Sequence, residues 1–130
     1  MMKTLPLLAT VLACLITALR AEAEPVKNVS ADEAAKLLAE KKDLVVLDLR
    51  TDTEFKSGHI AGATNIDFLG DDFAQKLGAL DKGKTYLIHC GSGSRSTKSL
   101  EAFKAQKFSS ILHLNEGFKA WVAAGKPVEK

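Results

Sequence analysis

Residues 85–97, Thr-Tyr-Leu-Ile-His-Cys-Gly-Ser-Gly-Ser-Arg-Ser-Thr, hold the side chains best suited to chemistry. An apolar, strand-like run delivers Cys90 into a glycine-rich loop, and Arg95 follows where a helix begins. Backbone N–H groups curling around the sulfur, the positive end of a helix and a nearby guanidinium all favour a thiolate. A free cysteine ionises near pH ~8.5, and such surroundings commonly lower that by a unit or more. A cysteine ending a strand is otherwise often a buried core residue. The attached Gly91, Ser92, Gly93, Ser94 and Arg95 turn the reading towards a nucleophile in an anion-binding loop.

Loop length narrows the chemistry. The spacing from Cys90 to Arg95 is C-x4-R, with His89 in front. The tyrosine-phosphatase loop is H-C-x5-R, one residue longer. A phosphoryl group needs a cradle for three equatorial oxygens and an attacking sulfur. A ring one residue shorter suits a single sulfur atom, so sulfur transfer is expected over phosphate transfer.

The elements that carry this loop follow from periodicity. Strands are expected at Val26–Val29, Leu44–Leu47, Thr64–Phe68, Tyr86–Ile88 and Ile111–Leu114. Ser30-Ala31-Asp32-Glu33 and Thr51-Asp52-Thr53-Glu54 read as capping boxes, the first opening a helix with Ala34, Leu37 and Leu38 on one face. The second helix stops at Gly58. Phe73, Leu77 and Leu80 make the next, Ser96–Lys107 is a helix burying Leu100 and Phe103, and the last carries Phe118, Trp121 and Val122 to Gly125. Alternating strands and helices imply one α/β domain on a parallel sheet with right-handed crossovers. Ligands bind outside the C-terminal strand ends of such sheets. Arg50, Cys90 and the Asn115-Glu116 turn are therefore expected to rim one crevice.

Other polar residues have quieter readings. Asp48 and Arg50 can be an acid and an anion clamp, or a paired strand-end carboxylate. His59 reads as a satisfied hydrogen-bonding side chain, and His89 should point away from Cys90 by strand alternation. His113, inside a strand, reads as part of the sheet. The three histidines lie at no zinc-ligand spacing. Phe118 and Trp121 at helical spacing are core.

Four motifs in order over Val26–Val128 resemble a single-domain rhodanese, a thiosulfate-type sulfurtransferase. Cys90-Gly91-Ser92-Gly93-Ser94-Arg95-Ser96 is similar to that family's C-x-x-G-x-R-S loop, and Val45-Val46-Leu47-Asp48-Leu49-Arg50 to its hydrophobic-D-x-R strand end. Glu54-Phe55, Gly58-His59-Ile60-Ala61-Gly62-Ala63 and Asn65-Ile66 resemble its E-F…G-H-I-x-G-A…N-I run. Glu116-Gly117-Phe118-Lys119-Ala120-Trp121 resembles its G-G-F-x-A-W element, with Glu116 in place of the first glycine. That exchange puts the backbone at residue 116 in question.

The resemblance implies a rhodanese-like α/β fold, a parallel sheet of about five strands with helices on both faces. It also implies double displacement. Cys90 attacks the sulfane sulfur of thiosulfate, carries it as a persulfide held by N–H groups of residues 91–95, and passes it to a thiol or to cyanide. Arg95 would be catalytic with Cys90 and orient the anionic donor. Gly91, Ser92, Gly93, Ser94 and Arg50 complete the expected substrate-binding set, the Ser92 or Ser94 hydroxyl reaching the sulfur. No cofactor or metal is expected. Mercaptopyruvate sulfurtransfer stays open, since Cys90-Gly91-Ser92-Gly93 matches that branch's C-G-S-G start, although Ser94-Arg95 stands where V-T is usual. A non-enzymatic sulfur-carrier or docking module is the other alternative.

Residues 1–23 read as a signal peptide. Lys3 is the basic start, Leu5–Leu19 the apolar run, and Ala21-Glu22-Ala23 an A-x-A cleavage site. An uncleaved anchor is the alternative, although the run falls short of the ~20 apolar residues of a membrane span. Cleavage leaves residues 24–130 as the rhodanese-like domain, exported to the periplasm or medium, without stable membrane association and as a monomer. Cys14 leaves and Cys90 stays, so no internal disulfide forms in an oxidising compartment. Loss of Lys3, Arg20 and Glu22 takes the 18 basic and 16 acidic residues to 16 and 15. That near balance offers no footprint for nucleic acid.

Overall fold

A computed structural model describes residues 25–130 as a five-stranded, wholly parallel sheet between two layers of helices. In chain order the elements are β1 (Val26–Asn28), α1 (Ala31–Glu40), β2 (Val45–Asp48), α2 (Asp52–Ser57), β3 (Thr64–Asn65), α3 (Phe73–Gly78), β4 (Thr85–His89), α4 (Ser94–Ala105), β5 (Ser110–His113) and α5 (Gly117–Ala123). The strand order is β1-β5-β4-β2-β3, which puts β4 at the centre. The expected α/β architecture is the one observed. The signal-peptide reading lies outside the described residues.

Alternation along the strands builds two cores. Leu47, Tyr86, Ile88 and Ile111 face Phe73, Leu77 and Phe103 from α3 and α4. Val46, Leu87 and Leu114 face Ala31, Ala34 and Trp121 from α1 and α5. Each fully buried Leu, Ile or Val contributes about 1.5–3 kcal/mol, so β4, buried from Tyr86 to His89, anchors both layers.

Local signals fare unevenly. Thr51 and Glu54 form the complete capping box of α2, and Gly58 ends it. Ser30 caps α1 by accepting from Glu33 N, but Glu33 returns to the Ser30 hydroxyl and not to its backbone. β3 stops at Asn65, short of the expected Phe68, because its partner β2 ends at Asp48. Ile66 N and Phe68 N still donate to Asp48 O and Leu49 O outside a regular ladder. Leu80 lies in the turn after α3. α4 starts two residues earlier than expected, since Gly93 supplies its N-cap with a left-handed φ of 106°. Ser96, Ser99 and Phe103 form its buried face, and Leu100 is half-buried.

Candidate active site

Cys90 leaves the C-terminal end of the central strand, and its side chain is 1% exposed at the floor of the loop. Two N–H groups at the start of α5 hold the loop's backbone: Phe118 N donates to Cys90 O at 2.9 Å and Lys119 N to Gly91 O at 3.0 Å. In a trans peptide the N–H points opposite its C=O, so drawing these carbonyls towards α5 turns the next N–H groups inward. Gly93 N donates to Cys90 Sγ at 3.1 Å. Burial pushes the thiol pKa up, but hydrogen bonds from the Ser96 hydroxyl and from the N–H groups of Ser96, Gly93 and Ser92 bring it below its ordinary value.

Two glycines make the ring this tight. A Cβ at Gly93 would collide with Asn115 O, and one at Gly117 would lie 2.6 Å from Gly91 C and 2.7 Å from Ser92 N. Both have left-handed φ, 106° and 79°. Glu116, in question from the sequence, adopts φ −87° and ψ −6°, which any residue takes. The glycine this turn needs is Gly117.

The hydroxyl on the sulfur comes from Ser96, at 3.4 Å, and not from Ser92 or Ser94, whose side chains are exposed. The inward positions of the loop belong to backbone N–H groups, and the first hydroxyl turned back to the sulfur lies on the buried face of α4. Ser96 also lies 2.7 Å from His113 Nε2, so His113 is more than a sheet residue.

Arg95 meets Glu54 at two points, Nη1 to Oε1 at 2.7 Å and Nη2 to Oε2 at 3.1 Å. The same Glu54 carboxylate caps α2 through Thr51. Its pKa is lowered to about 2, chiefly by the Arg95 hydrogen bond and against the opposing effect of burial. The Arg95 side chain remains 24% exposed.

Arg50, expected among the substrate-binding residues, is turned inward. Its Nη2 donates to Asp48 Oδ2 and Gly58 O, both at 2.7 Å, its Nε donates to Asp48, and its guanidinium lies 4.0 Å from the Phe118 ring centroid. These contacts hold Nε and Nη2 of Arg50 within the protein, and they favour the structural reading of Asp48 and Arg50. His89 lies beside them. Its Nδ1–H donates to Cys90 O at 2.9 Å, so it points away from the Cys90 sulfur and steadies that residue's carbonyl. Its Nε2 sits 3.6 Å from Asp48 Oδ2. His59 is satisfied as expected, its Nδ1 on Phe55 O and its ring stacked on Phe55 at 3.8 Å.

The sequence reading missed Ser96 as the sulfur's partner, Glu54 as the partner of Arg95, and His113. Ser96 and Glu54 stood in quoted motifs, and the i, i+3, i+7 spacing of Ser96, Ser99 and Phe103 was a signal that Ser96 faces inward. For His113 no sequence signal existed beyond its place in a strand.

The Cys90 loop closes one side of a cavity of about 500 Å³ lined by Ser92, Gly93, Thr97, Lys98, His113 and Asn115. Of the three groups expected to rim one crevice, only Asn115 lines this cavity; the outer residues of the loop reach it, while Cys90, Glu116 and Arg50 do not.

Comparison with known proteins agrees with this geometry. The chain is 31% identical to the Escherichia coli K12 protein YibN over 123 residues, covering 93% of this chain and 85% of that one. It is 27% identical to the thiosulfate sulfurtransferase GlpE of Shewanella oneidensis, covering 73% and 91%. A rhodanese-related protein from Thermoplasma volcanium superposes with a TM-score of 0.68 at 28% identity, over 79% of this chain and 97% of the other. The family model of the rhodanese-like domain matches residues 30–124, and the chain that places Cys90 in this six-residue loop belongs to that family.

Proposed function

We propose that this protein is a sulfurtransferase that moves a sulfane sulfur through a Cys90 persulfide. The observation that carries the reading is the Cys90 sulfur itself, ringed by loop N–H groups and the Ser96 hydroxyl inside a loop one residue too short for a phosphoryl group. Family membership and the sulfurtransferase names of relatives support it.

The Cys90 thiolate attacks the outer sulfur of a thiosulfate-type donor. A new S–S bond forms on Sγ, the donor's S–S bond breaks, and both its electrons leave with sulfite. The terminal persulfide sulfur is held by the loop N–H groups. An acceptor thiolate or cyanide then takes it, and the Cys90 thiolate returns with the bonding pair. Arg95, steadied along one edge by Glu54, offers positive charge to the anionic donor, while the loop stabilises charge on sulfur in both steps.

Thiosulfate treatment of the residue 24–130 domain is expected to add one sulfur atom to the intact mass and cyanide to remove it as thiocyanate. Cys90→Ser should lose both the adduct and the turnover. Transfer that persists in Cys90→Ser would overturn the proposal, and a comparison with mercaptopyruvate identifies the donor class. Export is part of the same reading: protein from its native host should begin at Glu24, and a start at Met1 with tight membrane association would replace export by anchoring.

A further inference from the structure

Behind the sulfur, three buried side chains form a chain whose last member, His113, the sulfur-transfer reading leaves unused. Cys90, Ser96 and His113 are 1%, 0% and 2% exposed. Ser96 Oγ lies 3.4 Å from Cys90 Sγ, 3.2 Å from Gly93 O and 2.7 Å from His113 Nε2. They come from three elements, the end of β4, the first turn of α4, and β5, where His113 registers with Ile88.

Direction decides what this chain does. A serine hydroxyl has one proton to give and two lone pairs to receive. If Ser96 gave its proton to an unprotonated Nε2, none would remain for sulfur. If His113 carries its proton on Nε2, it fills a lone pair of Ser96 and leaves the Ser96 proton to Cys90 Sγ or Gly93 O. A negative sulfur is the stronger acceptor of the two, and each hydrogen bond in such a chain polarises the next.

We propose that His113 is a positioning residue for Cys90, donating from Nε2–H to Ser96 Oγ and so directing the Ser96 proton onto the sulfur whenever Sγ carries negative charge. This rests on Cys90 being the reactive sulfur of the proposed reaction. Negative charge stands on Sγ before attack on the donor and again when the acceptor takes the terminal sulfur. No proton passes along the chain: the thiol proton goes to solvent, while Ser96 and His113 keep theirs. Burial, then the neighbouring His89, holds the His113 pKa below its ordinary value, so His113 acts as a neutral donor near pH 7. The other charged or titratable groups around the site are Arg95 of α4 with its partner Glu54 of α2, Lys98 of α4 at the cavity, and His89 of β4 with Asp48 and Arg50 at the end of β2.

The test is the pH profile of Cys90 alkylation by iodoacetamide, which needs no sulfur donor and so reports on Ser96 and His113 whether or not sulfur is transferred. Ser96→Ala and His113→Leu are each expected to raise the profile's midpoint by about one pH unit, roughly a tenfold loss of thiolate near neutrality. The double variant should shift no further than Ser96→Ala alone, and His113→Gln, whose amide N–H can donate to Ser96, should recover most of the wild-type profile. A wild-type profile in His113→Leu, additive shifts in the double variant, or a glutamine variant no better than leucine would each overturn the proposal. The wild-type protein supplies an independent measurement if the leucine variant fails to fold. Nitrogen-15 NMR of His113 should show the Nε2–H tautomer, and the Nδ1–H tautomer would refute the assignment.

Discussion

Arg95 and Glu54, 41 residues apart in the chain, meet in a two-point ion pair that ties the start of α4 to the first turn of α2. Glu54→Gln keeps an oxygen to cap Thr51 while removing the charge. Because the folded carboxyl is held near 2 against an ordinary 4.5, its stabilisation is complete above 4.5 and fades as the pH falls towards 2. The side chains are 24% and 39% exposed, so solvent screening limits the pair to about 1 kcal/mol or less. Urea unfolding should show Glu54→Gln weaker than wild type at pH 7, with the difference closing in acid. A difference that persists unchanged in acid would locate the effect elsewhere.

The lowered Cys90 pKa predicts reactivity below the range of a free cysteine. Iodoacetamide alkylation of the wild-type protein should rise with pH and level off at a midpoint under ~8.5. The sign for stability follows: a thiol whose folded pKa is depressed stabilises the fold fully above the unfolded pKa and loses that contribution as the pH falls through the folded one. A midpoint above that of a free cysteine would show that burial outweighs the hydrogen bonds.

Gly117→Ala should distort the loop from outside it. An alanine at φ 79° is strained by ~1–2 kcal/mol before contacts are counted, and its Cβ would collide with the Gly91–Ser92 peptide. Thermal melting should drop by several degrees, and Cys90 alkylation at pH 7 should slow because the inward N–H groups are displaced. Unchanged alkylation would show the loop holding its shape without the close approach of α5.

Asp48→Ala should be among the most damaging single changes. It strips a buried guanidinium of three side-chain hydrogen bonds, and breaking a buried pair from one side typically costs about 3–5 kcal/mol. Urea denaturation should show a loss of that order. Arg50→Lys, with Asp48 intact, should also be destabilised, since a point charge cannot reproduce the fork on Asp48, the bond to Gly58 O and the stacking on Phe118.

Loop length should separate sulfur from phosphate chemistry. The wild-type protein is expected not to hydrolyse aryl phosphates. Inserting one glycine between Gly93 and Ser94 widens the ring to C-x5-R, moves Gly93 N and Ser96 relative to the sulfur, and should cut sulfur transfer by a few orders of magnitude. Ready phosphatase activity of the unaltered protein would reverse the argument from ring size.

What the chain alone determined is local. The glycines and spacing from Cys90 to Arg95 define the loop, the alternation of apolar runs defines strands and helices, and Thr51 with Glu54 writes a cap whose two members lie three residues apart. Each is settled by neighbours in sequence, through backbone reach and side-chain period. Tertiary structure decided which polar groups meet. Ser96 faces the sulfur because α4 begins at Ser94 and buries that face, leaving Ser92 and Ser94 in solvent. His113 reaches Ser96 because β5 lies beside β4 in the sheet, and strand order cannot be read from one strand's residues. Arg50 turns inward because a buried carboxylate, a free carbonyl at Gly58 and the Phe118 ring together outcompete solvent for a guanidinium, and those three partners come from separate parts of the chain.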